Sequence, residues 1–78
     1  MNDDMISRIV NEVLEELTRA TAKFGEMRSS HEGYGIILEE LDEAWSEIKC
    51  NDTDRACEEM IQVAAMAIRF IYDLRNNA

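Results

Sequence analysis

The sequence predicts an all-α fold: three helices in each protomer, with a four-helix-bundle-like core completed by oligomerisation. Three observations predict it. The 78 residues contain no Pro and only three Gly, while 46% are apolar. Apolar residues recur at the helical period through three stretches separated by short polar turns. A lone core of this size is marginal, because so short a chain buries only roughly 60–65% of its unfolded surface. Self-association is the simplest remedy. No long linker, repeat or low-complexity tract divides residues 1–78, so they read as a single domain.

The first helix is expected from about Asp3 to Lys23, with Ile6, Ile9, Val10, Val13, Leu14, Leu17 and Ala20 forming one stripe. Asn2 or Asp3 can cap it, and the acids there suit the positive end of the helix dipole. Phe24 is expected to extend the stripe before Gly25 stops the helix. Gly25–Ser30 then reads as a loop. Ser29 and Glu32 fit a capping box that opens a second helix running to about Lys49.

On the wheel of this second helix Tyr34, Ile37, Leu38, Leu41, Ala44, Trp45 and Ile48 share an arc of about 120°. Glu40, Glu43 and Glu47 fall within about 60° beside that arc. Tyr34 and Trp45 are therefore expected in the core. Cys50-Asn51-Asp52-Thr53 is a polar turn, with Asp52 or Thr53 capping a third helix from about Asp54 to Arg75. That helix is apolar over more than half its circumference, so it must pack against more than one neighbour.

The formal charge is −9. So acidic a chain lacks the clustered Lys and Arg that duplex nucleic acid requires. No apolar run approaches the ~20 residues of a membrane span. The Met-Asn-Asp-Asp start has neither a basic n-region nor an apolar h-region, so a cytoplasmic protein is expected, with no membrane partner. Cys50 and Cys57, seven residues apart with no His nearby, fall short of a zinc ligand set. They read as small packed residues.

The remaining signal is acidic. Glu39-Glu40-Leu41-Asp42-Glu43 on the second helix and Glu58-Glu59-Met60-Ile61-Gln62 on the third interrupt apolar runs. Glu40 with Glu43, and Glu59 with Gln62, have i, i+3 spacing and so project oxygens from adjacent turns. Helices packed 8–10 Å apart can bring both pairs around one point. Three carboxylates and a carboxamide oxygen suit a hard divalent ion, Mg2+ or Mn2+, better than a soft one. Hydrolysis of a phosphoanhydride is the chemistry such a site suggests. The alternative is a solvated acidic face, since Glu is a good helix former. Gln62 weighs against that alternative, because a carboxamide entering an apolar run needs a partner.

On these residues the segment from His31 to Leu74 resembles the MazG-type nucleotide pyrophosphohydrolases of the all-alpha NTP pyrophosphatase superfamily. Short single-domain phage and bacterial members are the most similar. The family pattern, EExxE then ExxD, is matched by Glu39, Glu40 and Glu43, and then by Glu59, with Gln62 where the pattern has Asp. His31-Glu32-Gly33-Tyr34 and Gln62-Val63-Ala64-Ala65-Met66-Ala67 add to the likeness. The resemblance implies a Mg2+-dependent enzyme that splits nucleoside triphosphates into monophosphate and pyrophosphate, assembled as a homodimer or homotetramer. It implies Glu40, Glu43, Glu59 and Gln62 as metal ligands and Glu39 or Glu43 as the group that orients or deprotonates the attacking water. Gln62 is a weaker ligand than Asp and removes one negative charge; a non-catalytic oligomer binding a nucleotide or a protein is the alternative it raises.

Arg69 shares a polar strip with Gln62 and is expected to pair with Asp73 or another acid; contact with a substrate phosphate is the other reading. Lys23 and Arg28 flank the first loop as surface charges. His31, near a helix start without a base or nucleophile partner, reads as a capping or packing residue.

Overall fold

Three side-chain caps start the three helices. In α1 (Asp3–Lys23) the Asn2 Oδ1 accepts the Met5 N–H at 2.9 Å. In α2 (Ser30–Lys49) the Ser29 Oγ accepts the Glu32 N–H at 3.1 Å. In α3 (Thr53–Asn76) the Asp52 Oδ1 accepts the Arg55 N–H at 3.1 Å. Each cap satisfies a donor that the helix itself leaves unpaired. The computed structural model describes residues 1–77, and these are all-helical apart from the termini and two short connections.

Two terminal details differ from expectation. Phe24 does not extend α1: it turns to extended backbone at φ −117° and ψ 147°, while its N–H still bonds to the Ala20 carbonyl at 2.8 Å. Gly25 supplies no left-handed cap, since no glycine has positive φ. The capping box at Ser29 is half made, and the Glu32 carboxylate lies 3.8 Å from the Arg28 guanidinium. Between α2 and α3 the reversal is made by Asn51 at φ 58°, a left-handed position that Asn tolerates.

The apolar α3 forms the centre. α1 and α2 each pack against α3 and not against each other. Val13, Ala20, Met27, Ala65 and Met66 are buried together, with Leu17, Ile36, Ile37, Ile61, Ala64, Phe70 and Leu74 around them. Met27, in the connection between α1 and α2, is fully buried. Its N–H donates to Asp73 Oδ2 at 2.8 Å and its carbonyl accepts from Asn77 Nδ2 at 3.5 Å. Arg69 donates to the Gly25 carbonyl. Arg69 and Asp73 on α3 and Asn77 at its C-cap, spaced one turn apart, thus clasp the first connection and fix where α2 begins.

Gly33 explains how closely α2 approaches. A Cβ there would overlap the Phe70 ring and stand 3.2 Å from Met27 Sδ. From that contact α2 runs along α3 on Gly33, Ile36, Ile37, Glu40, Ala44 and Glu47, the residues it buries wholly or in part. Tyr34, Leu38, Leu41, Trp45 and Ile48 are instead 40–66% exposed, so Tyr34 and Trp45 are not core residues of the protomer. Met5, Ile6, Ile9 and Val10 on α1 are exposed as well. The radius of gyration, 13.3 Å, exceeds the about 11.5 Å of an ordinary globule of this length. One chain leaves apolar surface that it cannot itself cover.

Candidate metal centre

The contact strip of α2 carries carboxylates, and this builds the site. Because α2 meets α3 on its Gly33–Glu47 strip rather than on its most apolar arc, Glu40 is pressed against α3 beside Glu59. Glu43, one turn beyond Glu40, reaches the same point from the exposed flank. One carboxylate oxygen each from Glu40, Glu43 and Glu59 lies within 4.8 Å of the others. The i, i+3 spacing on α2 and the close helix approach together produce this convergence.

Electrostatics make the cluster unfavourable by itself. Burial is the largest influence on Glu40 and raises its carboxyl above the ordinary range; the charges of Glu43, Glu59 and Glu16 raise it further. Glu59 is raised in the same way, by burial first and then by Glu43, Glu47 and Glu58. Glu40 Oε2 and Glu59 Oε2 are buried without a hydrogen-bond partner. A buried acceptor left unsatisfied typically costs 1–3 kcal/mol, and several like charges together add to that. A hard cation would supply both missing partners and neutralise the repulsion, so the donor set fits a divalent ion bound through oxygen.

Gln62 is half-buried one turn beyond Glu59, and lines a cleft of about 410 Å³ between α1 and α2 together with Glu39 and Glu40. Glu39 is exposed on the cleft wall and does not belong to the three converging carboxylates. Glu16 of α1, absent from the sequence reading, borders the same cleft. It is held by Arg19 in a forked pair at 2.6–3.0 Å, and its charge acts on Glu40. The sequence signal for it is faint, since Glu12, Glu15 and Glu16 resemble any solvated acidic face.

The expected Arg69–Asp73 ion pair does not form. Asp73 accepts from Met27, while Arg69 is 6% exposed and touches the Gly25 carbonyl and Met66 Sδ. Among the described residues it belongs to no ion pair. Cys50 and Cys57 are exposed free thiols rather than packed residues. His31 is exposed. Among the described residues no helix is long and apolar enough to cross a membrane. No family model, no curated protein and no solved structure matches the chain.

Proposed function

We propose that the chain is a Mg2+-dependent nucleoside triphosphate pyrophosphohydrolase, releasing pyrophosphate and a nucleoside monophosphate, with Mn2+ able to replace Mg2+. The observation that carries the reading is the convergence of Glu40, Glu43 and Glu59, two of whose oxygens are buried without partners. The resemblance of the two acidic half-motifs to the MazG-type pattern selects the reaction class. In this reading Glu40, Glu43 and Glu59 hold the ion, and the Gln62 carboxamide completes the set from the cleft. A divalent ion there supplies charge neutralisation of the phosphate oxygens and a lower pKa for an attacking water. Glu43 is the exposed member of the cluster, so a carboxylate oxygen remains open to orient that water or take its proton. Glu39 on the cleft wall is the other candidate for that role. The exposed apolar rows of α1 and α2 are covered by further copies of the chain, as a homodimer or homotetramer.

The test is pyrophosphate release from a panel of nucleoside triphosphates with Mg2+ or Mn2+. Turnover is expected, and Glu43→Gln is expected to lower it at least about 100-fold, the lower end of what a positioned acid–base group contributes; Glu40→Gln is expected to abolish it by removing a ligand of the ion. A folded protein that turns over no nucleotide with either metal overturns catalysis. Gln62 favours a second reading in that event: a non-catalytic oligomer that binds a nucleotide or protein. The same cluster then still binds Mg2+, and a nucleotide raises the melting temperature without being consumed.

A further inference from the structure

We propose that Arg69 and Lys23 form an oxyanion subsite at the far end of the α1–α2 cleft, holding the terminal phosphate of a polyphosphate ligand. Of the eight Lys and Arg residues, three border this one cleft: Arg19, Lys23 and Arg69. Arg19 is committed to Glu16. Arg69 is not committed to any acid. A guanidinium carries five N–H donors, and its recorded partners are one carbonyl and one thioether sulfur at 3.7 Å. Neither carries a formal charge. The negative end of the α1 dipole, which terminates just before Gly25, offsets part of the charge. A cation this deeply buried nonetheless calls for an anion. Asp73, one turn along, accepts the Met27 N–H at Oδ2 and forms no ion pair with Arg69.

The spacing along α3 also suits an extended ligand. Arg69 follows Gln62 by seven residues, or about 10 Å of helix rise. Side chains on a helix lean toward its N-terminus, and Arg69 does so, lying back over Met66. Its guanidinium and the Gln62 side chain line the same cleft. Lys23 borders the same end, its Nζ 5.3 Å from the Phe24 ring centre. The cleft thus has carboxylates and a carboxamide toward one end and, toward the other, two cations that pair with no acid among the described residues. A chain of phosphates bridged to the carboxylates by a divalent ion matches this polarity; a neutral ligand, or a single carboxylate, does not. The position of the subsite relative to the ion rests on the metal reading above, but the anion site itself does not.

The experiment follows the Arg69 Nε–H resonance by 15N NMR during titration with inorganic phosphate and with tripolyphosphate, first in EDTA and then with Mg2+. Both anions are expected to shift the resonance saturably in EDTA, with tripolyphosphate gaining affinity when Mg2+ is added. Lys23→Gln, on the surface, is expected to weaken phosphate at least about tenfold, the worth of one charge-assisted hydrogen bond. Arg69→Met is expected to abolish phosphate binding, but it also removes the bond to Gly25, so Lys23→Gln is the variant that leaves the clasp intact. Glu40→Gln should leave phosphate binding in place while removing the Mg2+ gain, which separates failure of the metal reading from failure of this one. A resonance unmoved by either anion, or unchanged affinity in Lys23→Gln, overturns the subsite.

Discussion

Glu40 and Glu59 are where the site works against the fold. Each has a carboxyl raised above its ordinary value, by burial first and by neighbouring acids second. A raised folded pKa means that the folded state holds its protons to higher pH than the unfolded chain does. The associated stability is therefore full below the unfolded value and is lost as pH rises through the folded one. Without metal, the melting temperature is expected to rise as pH falls from 7 toward 5. Glu40→Gln, which removes one charge from the cluster, should stabilise the metal-free protein at pH 7 by about 1 kcal/mol, the scale of one unsatisfied buried group. That corresponds to about 4–8 °C in a domain of this size. The gain should shrink as pH falls and the wild-type carboxyl takes up its own proton, and Mg2+ should stabilise the wild type but not the variant. Thermal melts across pH, with EDTA or Mg2+, check all three. A Glu40→Gln variant less stable than wild type at pH 7 in EDTA would show that the cluster is not under strain. The converging acids were legible from i, i+3 spacing on two helices. Glu16 was not, because its proximity to Glu40 is a fact of how α1 crosses α3 and leaves no mark in local sequence.

At the scale of the elements, Gly33 and Gly35 in α2 separate helix propensity from packing. A glycine inside a helix typically costs up to 1 kcal/mol relative to alanine. At Gly35 nothing lies within 4 Å of an added Cβ, so Gly35→Ala should gain most of that. At Gly33 the Cβ meets the Phe70 ring and Met27 Sδ, and overpacking of this kind costs about 1–3 kcal/mol. Gly33→Ala should therefore destabilise despite its better propensity, and chemical denaturation of the two variants side by side checks the contrast. Equal stabilisation by both would mean that α2 can move off α3 freely. The helix boundaries were readable because Asn2, Ser29 and Asp52 are strong local caps. The contact face of α2 was legible only in part: Ile37 and Ala44 of the expected arc do face α3, and Glu40 at its border is half-buried, but the rest of the arc is exposed. A wheel ranks faces by hydrophobicity and so pointed to Tyr34, Leu41 and Trp45, whereas the clasp at Met27 and the gap at Gly33 turn the Glu40 side toward α3. Met27 itself, the most buried large side chain, sits in a loop where no periodicity can flag it.

On the whole molecule, the apolar surface that one chain leaves uncovered points to assembly. Tyr34, Leu38, Leu41, Trp45 and Ile48 form an exposed i, i+4, i+7 row along α2, the pattern by which helices pack against helices. A contiguous apolar row of this kind on a small protein marks an interaction site, and a second copy offers the matching row by two-fold symmetry. Each copy would bring a charge of −9, so two proposed partners would repel at long range while their apolar rows attract at contact. Association should therefore strengthen as salt rises and the Debye length falls from about 30 Å at 0.01 M to about 10 Å at 0.1 M. A contact held mainly by ion pairs would weaken instead. Sedimentation equilibrium at several salt concentrations distinguishes the two signs. Leu41→Glu and Trp45→Glu place charge in the row without touching the clasp or the acid cluster, and should yield a protomer that remains helical by circular dichroism. Its melting temperature should lose the dependence on protein concentration that an assembling wild type shows. A wild-type chain that stays a single copy at high salt and high concentration would leave the α2 row unexplained and remove the oligomeric bundle from the reading.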